Sequence, residues 1–153
     1  MAVPIVEFTN ENGTSQVNSW DIGTVDAGSK TNGDTFLIWN NKGKKTAVSD
    51  MENCIITTKD FSGGDTGPLV TGKWIEVRVD SMNESTFTPI GGTNAKTIQA
   101  EGVGAGIISG GVNDGSVNGA KANYAKVTLR ANVPALAPAG SIDFLTRVTY
   151  HHN

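Results

Sequence analysis

The chain is poor in the residues that most often do chemistry. It has one cysteine and two histidines, and the histidines stand together as His151 and His152 beside the final Asn153. A solitary Cys54 closes no internal disulfide and builds no Cys-based metal cluster. With no histidine in the body of the chain, a Ser-His-Asp or Cys-His site would have to recruit the last few residues. Consecutive residues of a strand also point to opposite faces, a poor arrangement for the two imidazoles to share a metal. Charged residues make up 18% of the chain, below the usual ~25%. No apolar run approaches ~18 residues, and no basic-then-apolar stretch resembles a signal peptide. The expectation is a protein with no membrane partner, made in a reducing compartment. A net charge of −3 and a pI near 5.3 argue against holding nucleic acid by counterion release.

What replaces those residues is glycine, asparagine, threonine and serine. Nineteen glycines in 153 residues is well above the ordinary ~7%. All four residue types are weak helix formers. A chain of this length fits one domain, residues 1–153, and buries roughly 68–70% of its unfolded surface.

Period-two alternation dominates. In Lys126 to Val133 the odd positions are apolar and the even ones polar, as in a half-buried strand. Lys73–Ser81 sets Ile75, Val77 and Val79 against Glu76, Arg78 and Asp80. Ser141–Tyr150 sets Ile142, Phe144, Val148 and Tyr150 against Asp143, Arg147 and Thr149; Leu145 and Thr146 break the pattern, so either both faces are buried or a bulge intervenes. Weaker strands are expected at Val3–Phe8, Val17–Val25, Thr35–Trp39, Asn53–Thr58 and Lys96–Ala100. The separators, such as Asn12-Gly13, Asn32-Gly33, Gly91-Gly92 and Asn118-Gly119, accept positive φ cheaply. About eight strands between such turns predict an all-β fold, an antiparallel β-sandwich in preference to a barrel.

Gly102 to Gly119, GVGAGIISGGVNDGSVNG, stands apart as long for a hairpin loop and nearly uncharged. It reads either as a glycine-broken hairpin packed on the sandwich or as an arm that orders against a partner. Its apolar points, Val103, Ile107, Ile108 and Val112, are the candidate interface residues. The glycines do not have phosphate-loop spacing, no GK[ST] follows, and no helix follows to aim N–H groups at an anion. No cofactor motif is present.

Carboxylates are available at Asp60, Asp65, Glu76, Asp80, Glu84 and Glu101. Sequence alone places no two of them across a cleft, as a glycosidase requires. Asp60-Phe61-Ser62-Gly63-Gly64-Asp65 lacks the ligand density of a dedicated calcium loop. Trp20, Trp39 and Trp74 lie in or beside strands; they read as core groups, as a sugar-stacking platform, or as part of a protein interface. In FLIWNNKGKK, residues 36–45, the aromatic end reads as a strand leaving the core, Asn40-Asn41-Lys42-Gly43 as a turn, and Lys44 and Lys45 as its solvated exit.

Two regions together resemble small all-β virion proteins of tailed bacteriophages. Trp20-Asp21-Ile22-Gly23-Thr24-Val25-Asp26-Ala27-Gly28-Ser29 followed by Phe36-Leu37-Ile38-Trp39-Asn40-Asn41 looks like a pattern of immunoglobulin-like modules. Val133-Pro134-Ala135-Leu136-Ala137-Pro138-Ala139-Gly140 before Ser141–Tyr150 is similar to the last hairpin of such modules. The resemblance implies a non-enzymatic virion structural role: a capsid decoration or cement protein that contacts the major capsid protein or other virion proteins, or a tail or baseplate component. It supplies no catalytic residues. A carbohydrate-binding module using exposed tryptophans is the alternative.

Overall fold

The computed structural model describes residues 1–153. Eight strands form in the order β1 (Val6–Asn10), β2 (Asp34–Asn40), β3 (Glu52–Asp60), β4 (Ile75–Val79), β5 (Thr88–Ile90), β6 (Lys96–Thr97), β7 (Tyr124–Ala131) and β8 (Phe144–His151). They make two antiparallel sheets, β1-β2-β7-β4-β5 and β6-β3-β8. The fold is therefore all-β and sandwich-like, as the alternation and turns imply. One four-residue helix, α1 (Pro68–Thr71), and two short 3₁₀ turns are the only helical pieces.

The alternation decides which side of each strand is dry. On β7, Ala125, Val127, Leu129 and Ala131 are buried against the second layer, while Lys126, Thr128 and Arg130 lie on the other face, where Thr128 is covered by Thr35, Arg78 and Asp80. β4 does the same with Ile75, Val77 and Val79, and the register pairs Ile75 with Ala131 and Val77 with Leu129. Eighteen buried residues, Cys54 among them, make the main core. A second, smaller cluster of Leu37, Trp39, Ala120 and Tyr124 sits on the other face of the larger sheet. Residues 36–39 therefore feed two cores in alternation, Phe36 and Ile38 into one and Leu37 and Trp39 into the other.

Three local expectations change. Val17–Val25 forms no strand. Val17 still donates its N–H to Phe8, but Asp21 then takes the N–H of Gly23 at 2.8 Å and Gly23 adopts φ +80°, which bends the chain away. Conversely, Thr88–Ile90 is a strand, short because Pro89 lacks a donor and is tolerated only at an edge such as this one. Of the two alternatives at Leu145 and Thr146, β8 has no bulge there and is half-buried on both faces from Phe144 to Val148; the β3–β8 register shifts instead between Glu52 and Ile55, where Asn53 has φ +51°.

Gly102–Gly119 is neither a hairpin nor a detached arm. It is an irregular strap bound to the body of the fold. Met51 and Ile108 exchange backbone hydrogen bonds, Val48 donates to Gly110, Cys54 to Gly106, and Ser109 to Ala122. A Cβ on Gly110 would lie 2.3 Å from the Val48 carbonyl oxygen, so only glycine lets the two backbones approach this closely.

Candidate functional site

The four apolar residues expected at an interface do not share a surface. Val103 is half-buried against the main core, Ile107 is half-buried, and Val112 is 61% exposed. Ile108 has no exposed surface at all and belongs to the core, so it is removed from any contact with a partner. The cause is a set of asparagine amides that pull the strap inward. Asn40 donates from Nδ2 to the carbonyls of Ser49 and Ile108 at 3.0 and 3.3 Å. Asn41 donates to Thr46, Gly110 and Gly111, and Asn123 donates to Asn40, Ser109 and Gly111. The turn after β2 forms where expected, with Lys44 and Lys45 as its exposed exit, but Asn40 and Asn41 are fully buried and make its start a polar hub. Each of these amide N–H groups meets a carbonyl; the carbonyls of Ile108 and Gly110 also accept from Met51 and Val48, and the buried Oδ1 of Asn41 has no partner.

Five of the six candidate carboxylates are engaged by donors of their own chain, Asp65 by Lys59 and Glu84 by the Val79 N–H and Lys96 among them, while Glu101 is exposed. Asp60 accepts from the backbone N–H groups of Thr66 and Gly67 and from the Thr66 hydroxyl. Chiefly the Thr66 N–H holds its pKa below the usual range. The carboxylate thereby closes its own loop, in the stretch considered for calcium. Glu76 accepts from Arg130 Nε at 2.7 Å and Asn132 Nδ2 at 3.1 Å. Burial pushes the Glu76 pKa up, but these bonds and the charges of Arg130 and Lys30 outweigh it, and the net shift is downward. Asp80 accepts from Arg78 Nε and the Thr128 hydroxyl, both at 2.6 Å. Arg78 and Arg130 also lie over the Phe87 ring, at 5.0 and 3.8 Å from its centroid. This cluster, absent from the expectations because its members are spread over residues 76–132, knits the outer face of β4 and β7.

The tryptophans divide. Trp39 is fully buried and donates to the Thr9 hydroxyl at 2.9 Å; Trp74 is 8% exposed. Trp20 is half-buried, donates to Asp34 at 2.7 Å, and meets Phe36 and Phe144 edge to face.

Trp20 stands in the wall of a groove of about 1200 Å³. Its floor is the inner side of β1 and β2 at Val6, Phe8 and Phe36, and one bank is the start of β8 at Phe144–Thr146. The groove exists because three strands stack over five, so the smaller layer ends at β8 while β1 and β2 continue beneath. β8 is the edge strand here. No backbone group of Phe144–His151 makes a hydrogen bond outside the ladder with β3. The other edges are blunted: the 15–17 segment lies along β1, while β5 and β6 have three and two residues. The site thus offers two things at once, an apolar trough and a row of unpaired backbone donors and acceptors.

No protein-family model matches this chain, and neither a curated protein nor a solved structure matches it.

Proposed function

We propose that this protein is a non-enzymatic structural subunit of a virion, an immunoglobulin-like capsid decoration or cement protein that holds the outer shell by surface adhesion. The observation that carries the reading is the division of labour among the side chains. Asp60, Glu76 and Asp80 are occupied by donors of the fold itself. What stays open is the contact surface of groove and strand edge. On a repeating lattice, many such modest contacts add up through avidity.

Cosedimentation of the purified protein with particles lacking it, followed by electron microscopy of the native assembly, tests the proposal. The expected result is density for this chain on the outer shell and reduced particle integrity when it is deleted. Density in the tail or baseplate would move the role there. Absence of binding to either, with particles intact after deletion, would overturn it. The glycan-binding alternative has only Trp20 to rest on, because Trp39 and Trp74 are buried; a glycan array without hits removes it.

A further inference from the structure

We infer that the free edge of β8 and the groove beside it form one docking site, built to take an extended strand from another protein. The inference rests on the adhesive reading above and names the surface and the kind of partner. Two independent features ask for the same occupant. The outward amides and carbonyls of β8 need a partner backbone in extended conformation. The floor of Val6 and Phe8, beside the Phe36 that Trp20 already meets, offers half-buried apolar surface to side chains from above. A strand supplies both, since its backbone bonds sideways while alternate side chains point down.

Charge narrows the occupant further. Four carboxylates line the groove, Glu7, Asp21, Asp26 and Asp143, and no lysine or arginine does. The incoming segment is therefore apolar at alternate positions and carries basic residues at its ends. A second copy is disfavoured as the occupant, because a two-fold contact would set the same acidic lining against itself.

The test is a titration of isotope-labelled protein, followed by amide chemical shifts, with a synthetic peptide of alternating valine and threonine between terminal lysines. Shifts are expected at the amides of Phe144–Val148 and the indole N–H of Trp20. A peptide with glutamates for the lysines should bind about tenfold more weakly, and the Asp26→Lys, Asp143→Lys double variant, whose two lysines balance Glu7 and Asp21, should abolish that preference. N-methylation of alternate peptide amides should abolish binding when it blocks one peptide edge and spare it when it blocks the other. No shift at β8 up to ~1 mM peptide, the weak limit for a specific contact, would overturn the inference, as would equal tolerance of N-methylation on both edges. Concentration-dependent dimerisation that protects the β8 amides would overturn it in favour of a second copy. Peptide binding without particle binding would leave strand docking standing and remove only the virion reading; the reverse result would do the opposite.

Discussion

Asn41 donates from Nδ2 to the carbonyl of Gly110 at 3.0 Å, across 69 residues of chain. That contact, with those to Thr46 and Gly111, joins the end of β2 to the glycine-rich strap. Asn41 has φ +62°, so Asn41→Gly keeps the backbone conformation and removes only the amide. The expected loss is about 1 kcal/mol, because Thr46 loses its donor while Gly110 keeps the Val48 N–H and Gly111 keeps the amides of Asn113 and Asn123. Asn41→Asp should cost more, since a buried carboxylate would then face carbonyl oxygens. Urea unfolding, with the midpoint lowered and the slope unchanged, is the measurement.

Gly110 and Gly102 separate sterics from backbone conformation. A Cβ at Gly110 would lie 2.3 Å from the Val48 oxygen and 2.6 Å from that of Ser49. Gly102 has φ +76° and nothing within 4 Å. Gly110→Ala should therefore displace the strap and destabilise by about 2–3 kcal/mol or more, while Gly102→Ala should cost only about 1 kcal/mol of backbone strain. Equal thermal-unfolding losses for the two variants would contradict this.

Glu76 makes stability depend on acid. Its folded pKa is lowered, so its contribution is fully present above the unfolded value of about 4.3 and is lost as pH falls through the lower folded value. Glu76→Gln should be less stable at neutral pH, and its stability should fall less steeply on acidification. The two unfolding curves should converge at low pH. Urea midpoints measured between neutral pH and strongly acid pH provide the check.

Cys54 should be inert in the folded protein. It has no exposed surface, and burial pushes its thiol pKa up to about 11, against a smaller downward pull from the Ile108 backbone. A disulfide reagent at pH 8 should react at least about a hundredfold more slowly than with the urea-unfolded chain. Rapid labelling under native conditions would show that the core opens around β3.

Much of the layer structure was readable in advance. Lys126–Val133 and Lys73–Ser81 alternate cleanly, and β7 and β4 bury the expected faces. Two misreadings share a local cause. Val17–Val25 has β-forming residues, but the Asp21 side chain competes for the backbone, and Thr88-Pro89-Ile90 is too short to show a period. The candidate interface was less legible. Ile107 and Ile108 are alike in the sequence, yet Ile108 is in the core and its neighbour is half-buried. Nothing local distinguishes them, because the difference is made by Met51 and by Asn40, far away along the chain.

By itself, the amino-acid order determined the all-β class, the face each regular strand buries and the positions of the sharper turns, since these follow from side-chain period and backbone propensity within a few residues. Tertiary structure alone decided that the strap is bound inward by Asn41 and Asn123. It also decided that Trp20 lines an opening and that β8 is the bare edge. Those outcomes depend on which distant strands become neighbours and how far one layer overlaps the other, and no local period encodes either.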